Sequence, residues 1–520
     1  MSKSNPVRRS LVSLAGVGGA VVAAVVVALA VTVPVPALTL GAASVSVDPT
    51  PAAQTRICPG GLIDITSRSG DATVFQSFAA PDITADALRT SITQTPLPAP
   101  DNAATNPDFG PRVLTSEPSP DVKAPALAAG SQSQSTAADS ISGLAATACS
   151  EASTDQWLVG GSTEVGRNTL LLLSNALNVD ATVSLEIFGE KGRVEAPGMT
   201  ALLVKAKSQR ILSLASFAPG VADPVVHVMT TGGQVLATLQ QTVTRVVTPS
   251  GVDLIQAGAA PATTQIIPGV ALTGMAGQDS EGGAVTSDLA PAIRVLLPGA
   301  RDAEVTATVI SATTKPTVIK AKFTAGQVLQ LPFLGVTDGI YTVVVTADVP
   351  LVAGVRTIQS PNNPIAPEAP ASVTPSPSAS STAAAAPVGG VDVGGDTAAP
   401  ASAGAPTVPG GDFAWNASAL ALSAQTLVAV PAGGHPTLTL FNPTATAQTV
   451  RFGVINGSAD SVGVPAGGSV VVSVATAGVL SLTDGLGLYA TVTLRDVGRG
   501  AAFTVPPASR LSSAITVYPR

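Results

Sequence analysis

The chain has 520 residues, room for about three domains, and carries a formal net charge of −7 with only 11% charged side chains. That acidic balance, with no basic stripe, excludes the phosphate-binding face that nucleic acid requires, so no nucleic-acid partner is expected. Valine and alanine dominate while 50 glycines and 43 prolines interrupt any long helical pattern, which makes the bulk of the chain all-β.

The N-terminus, residues 1–10, carries Lys3, Arg8 and Arg9, and an uncharged apolar stretch follows at residues 11–33. As a helix its 23 positions would extend roughly 34 Å, enough for a hydrocarbon core of about 30 Å. The basic residues before it would stay in the cytoplasm. The expectation is a single-pass plasma-membrane protein whose bulk lies outside the cytoplasm, the membrane being its first partner. Cleavage as a signal peptide, at a site such as Gly41-Ala42-Ala43, would instead release a secreted protein.

Residues 42–148 form an N-terminal strand region. Arg56-Ile57-Cys58-Pro59-Gly60-Gly61-Leu62-Ile63 reads as a turn followed by a short strand. Residues 96–142 are rich in Pro, Ser, Ala, Asn and Gln and read mostly as loop or disorder. The two cysteines, Cys58 and Cys149, both lie beyond the apolar stretch. In an oxidising compartment they are most simply one disulfide. Two free thiols, a metal pair or a redox pair are the alternatives, the metal without a neighbouring His and the redox pair without a Cys-x-x-Cys.

Repetition organises the remainder. A first unit, residues 149–258, contains strand patterns at 169–173, 181–187, 210–214, 224–229 and 234–242. A second, 263–358, contains them at 293–297, 305–310, 317–323, 327–331, 340–346 and 351–358. A third, 412–520, contains them at 437–441, 450–455, 469–474, 488–494 and 501–505. Ala325-Gly326-Gln327 recurs as Ala466-Gly467-Gly468, and Thr337-Asp338-Gly339 as Thr483-Asp484-Gly485. Short strands between frequent turn signals give tandem antiparallel β-sandwiches of immunoglobulin-like or fibronectin-like architecture. Between the second and third units, residues 359–411 are a Pro/Ala/Ser/Gly linker with almost no bulky apolar side chain, expected to tether the third unit on a disordered arm.

No catalytic, cofactor-binding or metal-binding residues are assigned. His227 alternates with Val226 and Val228 in a strand pattern, and His435 falls in a Gly-Gly-His-Pro turn. No His-Glu-x-x-His, phosphate-binding loop or nucleophile elbow occurs. The carboxylates Asp180, Asp223, Asp302, Asp338 and Asp484 read as turn formers. Trp157, Trp415, Tyr341 and Tyr489 are the candidate ligand contacts, with core packing as the competing role.

The basic N-terminus, the single apolar span, the Cys58-Pro59-Gly60 turn, the second Cys ahead of Trp157 and the Ala/Val/Gly-rich β units resemble an uncharacterised family of exported actinobacterial proteins. The resemblance implies an envelope location and carries no established activity. The expected role is a scaffold or interaction module serving cell-wall or surface-glycan assembly, with another envelope protein as partner and a glycan as second candidate. The alternatives are a carboxylate-dependent polysaccharide hydrolase and a passive, adhesin-like spacer.

Overall fold

The computed structural model describes residues 52–67, 73–118, 126–275, 290–359, 411–455, 457–474 and 477–509, together with the backbone of two short strands at 45–47 and 515–517. The expected membrane span at 11–33 and all but the ends of the 359–411 linker lie outside the described residues. Among the described residues no helix is long and apolar enough to cross a membrane. The chain divides into two compact units, one of Met1–Pro49 with Ala514–Arg520, the other Thr50–Ser513. In the first, Val45–Val47 pairs antiparallel with Ile515–Val517.

The larger unit is all-β and antiparallel, as the composition requires. Its first sandwich packs Asp155–Val159, Val225–Thr231 and Ala181–Gly189 against Ser208–Ser213, Arg167–Asn175, Leu236–Arg245 and Thr248–Gln256. Alternation drives it: Val183, Leu185 and Ile187 point inward onto Leu171, Leu173 and Leu239, while Thr182, Ser184 and Glu186 face outward. The third sandwich packs Gln425–Val430, Gly478–Thr483, Gln448–Val454 and Ala459–Val464 against Ser469–Ser473, Thr437–Phe441, Tyr489–Asp496 and Arg499–Thr504. Both close a core strand with the same device. Asn175 and Asn442 are fully buried and donate to the carbonyl four residues on, Val179 at 2.8 Å and Thr446 at 2.7 Å.

The second sandwich differs from the expected strand pattern. Residues 340–346 and 351–358 are one strand, Gly339–Gln359, whose two halves serve two sheets. Its first half pairs with Ala303–Ile310 and Ala262–Leu272, and its second half with Ala292–Leu296 and Asp412–Ala417. Pro350, which has no N–H to give a ladder, falls between the halves, where the strand passes from one sheet to the other.

Two further expectations give way. Residues 96–142, read as loop, contain the strands Arg112–Ser116 and Leu127–Ala137. The second is buried through small and amide side chains, a chemistry that hydrophobic periodicity does not register. Nor does the third sandwich hang on an arm. Gln359 and Asp412 are register partners, so the chain leaves and returns at one place. Leu144, Ala146 and Ala148 of the N-terminal region enter the third core.

Candidate functional site: a junction of four sheet edges and the adjoining cavity

A sheet edge presents unpaired N–H and C=O groups, and burying one demands a substitute partner for each. Four edges converge here: Ser142–Ala148, Thr248–Gln256, Asp412–Ala417 and Arg499–Thr504. The Asp412 carboxylate answers all four. Its Oδ2 accepts from the N–H groups of Leu144 at 2.9 Å and Gly500 at 3.2 Å. Its Oδ1 accepts from Val252 at 3.2 Å and from its own neighbour Phe413 at 3.0 Å. Room comes from glycine: a Cβ at Gly143 or Gly251, both at positive φ, would meet Oδ1 at 2.7 or 2.9 Å.

Asp253 repeats the device from the opposite side, its Oδ2 accepting from the Trp415 N–H at 2.6 Å. Its Oδ1 is buried without a partner. Burial pushes the Asp412 carboxyl up to about 7, against the four N–H groups that favour its ionised form. Burial pushes Asp253 well above the carboxylate range too, and the neighbouring Asp412 charge adds to it.

Trp415 locks the junction. Its Nε1 donates to Gln241 Oε1 at 2.7 Å, and its ring lies in the first sandwich's core beside Phe413. The Arg294 guanidinium stands 4.4 Å from the ring centroid and that of Arg356 5.8 Å. Arg294 is fully buried, donating to the Gly161 and Pro224 carbonyls at 3.0 Å each and to Asp223 at 2.8 Å.

A second set of staples is neutral. The ribbon Gln54 to Ile63 is held by glutamine amides. Gln132 accepts from Gly60 N–H at 3.1 Å and donates to Gly60 O at 2.7 Å; Gln240 does the same for Ile63 at 2.8 and 2.6 Å. Gln134 accepts from Leu62 N–H at 2.8 Å, and Gln209 donates to Pro59 O at 2.9 Å. Beside this ribbon Cys58 and Cys149 form a disulfide, both cysteines fully buried.

Next to the junction lies a cavity of about 470 Å³, within the size range of small-ligand sites. The segment 147–157, the end of the first sandwich and residues 504–509 wall it. Arg56 lies in its floor, buried, and donates to the carbonyls of Ala128 at 2.7 Å, Cys149 at 3.5 Å and Pro507 at 3.3 Å. Glu151 and Asp155 supply its carboxylates.

The four aromatic candidates are not brought together as one platform. Trp157 is 6% exposed, lines the cavity and stacks on His227 with ring centroids 3.9 Å apart. His227 bridges Glu186 at 3.0 Å and Asp155 at 3.2 Å. Trp415 sits in the junction, and Tyr341 is buried with its hydroxyl donating to Thr337 O at 2.9 Å. Tyr489 is half-buried opposite Phe441. His435 is exposed in its turn. The turn aspartates accept backbone or arginine donors: Asp180 from Ala206, Asp302 from Ala325, Asp338 from Gly274 and Met275, Asp223 from Arg294, Asp484 from Arg451.

Asp412, Asp253, Arg294 and Arg56 carry the junction and the cavity floor, yet they are missing from the sequence-based candidates. Two of them carry a sequence signal: Arg294 between Ile293 and Val295, and Asp253 between Val252 and Leu254, are lone charges flanked by apolar strand residues in a chain where charge is scarce, whereas Arg56 and Asp412 stand in mixed stretches. A charge so placed needs a buried partner.

Comparison with solved structures finds low-level likenesses, among them these two. One is to the crystal structure of Thermotoga maritima 1070, at 17% identity over 19% of this chain and 80% of that one, with a TM-score of 0.15. The other is to a biofilm associated protein, BSP domain, at 9% identity over 91% of this chain and all of that one, with a TM-score of 0.11. Neither superposition is close enough to carry an argument. No curated protein matches the chain. A family model matches residues 103–394, more than half the sequence, and the chain therefore belongs to DUF5719, a family of unknown function.

Proposed function

We propose that this chain is a membrane-anchored, extracytoplasmic envelope protein whose fused β-sandwiches act as a scaffold for cell-wall or surface-glycan assembly. The observation that carries the reading is the buried Cys58–Cys149 disulfide, a bond that persists in oxidising compartments and is rare in reducing ones. It joins with the apolar stretch at 11–33, which would deliver the rest of the chain to such a compartment.

The sandwich packing supports the scaffold part. One strand serves two sheets, and one tryptophan from the third segment is buried in the first core, so the sandwiches hold a fixed arrangement within the larger unit. A fixed arrangement suits a platform that aligns other proteins. The cavity beside Glu151 and Asp155 is its concave feature, and the partner class is another envelope protein docking by edge or side-chain contacts, with a glycan as the second class.

The test uses intact cells expressing the full chain. External protease should degrade the protein, membranes should retain it after high-salt washing, and alkylation before and after reduction should reveal two thiols only after reduction. Crosslinking should then capture a defined membrane or wall-synthesis protein. Recovery in the cytosol with both thiols free would overturn the location. Recovery of bulk wall polymer alone would replace the protein partner with a glycan.

A further inference from the structure

We propose that Asp412–Ala417 is an internal donor strand: the body of the larger unit, residues 52–359, contains an acceptor site for it, and the C-terminal piece, residues 411–509, stays bound there without covalent continuity through residues 360–410.

The acceptor is built on both sides of the strand. On one side Gly354–Gln359 forms a regular antiparallel ladder with it, from Gly354 opposite Ala417 to Gln359 opposite Asp412. On the other, where a sheet would offer another strand, side chains and edge groups substitute. Asp253 takes the Trp415 N–H and Gln241 takes the indole N–H. Asp412 in turn caps Leu144 and Val252 of the body. The apolar face is equally specific, with Phe413 and Trp415 seated in the first sandwich's core between Leu158, Ile255 and their neighbours. Six residues thus satisfy a ladder edge, four foreign backbone or side-chain groups and an apolar pocket. This is the chemistry of β-strand addition, in which main-chain bonds give affinity and alternate side-chain pockets give specificity.

The connection argues the same way. A hairpin needs about two to five linking residues, whereas roughly fifty separate Gln359 from its partner Asp412. Closure entropy changes only slowly at that length, so the side-chain pockets, not a tight turn, must hold the strand in register. The docked third sandwich adds contacts of its own, Ser133 to the Ala432 carbonyl at 2.7 Å and Thr493 to the Gly269 carbonyl at 3.2 Å.

A protease recognition sequence inserted between Ala385 and Ala386 of the full chain tests this. After complete cleavage, the two pieces should co-elute as one species on size exclusion at micromolar concentration. Separation into two species would overturn the proposal. Trp415→Phe and Trp415→Ala, introduced into the same cleavable chain, separate the strand from the rest of the interface. They should raise the dissociation constant of the cut pieces about tenfold and a hundredfold or more, respectively. Cut pieces that hold together equally well with either substitution would show that the strand is not the ligand, and would overturn the proposal from the other side. Trp415→Phe keeps most of the ring volume, so its result stands even if Trp415→Ala misfolds.

Discussion

Two parts of the larger unit solve one problem with different chemistry. The ribbon from Gln54 to Ile63 has its backbone at Pro59, Gly60, Leu62 and Ile63 met by the neutral amides of Gln132, Gln134, Gln209 and Gln240. The four-edge junction has its N–H groups satisfied by the carboxylates of Asp412 and Asp253. An amide offers one donor pair and one acceptor, so each glutamine serves one backbone residue or two. A carboxylate offers acceptors only, and one Asp412 serves four N–H groups on four strands. The denser staple has a cost. A buried charge pays a large desolvation cost and titrates, whereas a buried amide pays a smaller one and does not titrate.

Breaking the junction should cost most. Trp415→Ala removes the largest buried side chain there and leaves the Gln241 acceptor unpaired; by chemical denaturation it should lose about 3–5 kcal/mol. A loss under about 1 kcal/mol would mean that the ring is not the lock. Cutting the ribbon's covalent tie should come next. The disulfide spans a sequence separation of 91, and its reduction should cost roughly 2–5 kcal/mol, read as a lower denaturation midpoint in reductant.

The pH dependence should then separate the two kinds of staple. Asp412 is raised in the folded state to about 7 from an ordinary 3.8, and Asp253 is raised as well. Between those values the folded state holds protons that the unfolded state has released. The Asp412 contribution is therefore full below about 4 and is lost as pH rises towards 7, with a slope of up to about 1.4 kcal/mol per pH unit, and the raised Asp253 acts in the same direction. Other charges near the junction are the guanidiniums of Arg294 and Arg356 on the Trp415 ring and Arg499 beside Gly500, while Ser142–Ala148 brings none. Asp412→Asn should flatten this part of the profile. An unchanged slope in the variant would assign the titration elsewhere.

Glutamine substitutions should behave oppositely. Gln132→Ala or Gln240→Ala should each cost about 1–3 kcal/mol, the penalty for orphaning one backbone residue, with the same loss at pH 5 and pH 8. The smallest effect is expected at the exposed Arg451–Asp484 pair, where Asp484→Asn should change stability by under about 1 kcal/mol and less still in high salt.

Much of the β architecture was legible from the sequence because alternation and turn residues are local signals. Thr317–Phe323 and Thr437–Phe441 fall where the pattern puts them, and the recurring Ala-Gly pairs place Gly326 and Gly467 at positive φ before corresponding strands. Leu127–Ala137 was not legible, because its buried positions are Ser, Gln, Ala and Gly, which look like loop until the backbone they serve is beside them. The junction was not legible either. A lone Asp412 after a linker resembles a turn residue unless the Leu144, Val252 and Gly500 edges are known to meet there.

The sequence by itself determined the class, the antiparallel sandwiches and the position of about half of the described strands, since each depends on residues within a few positions of one another. It also supplied the one cysteine pair. Only the tertiary structure decided that the third sandwich is fused to the others, that Gly339–Gln359 is shared between sheets, and that the scarce buried charges serve as staples. Those features depend on groups 88 to 268 residues apart in the chain, such as the Gly500 and Leu144 amides at Asp412. No local pattern encodes that meeting; it exists only once four edges need the same carboxylate.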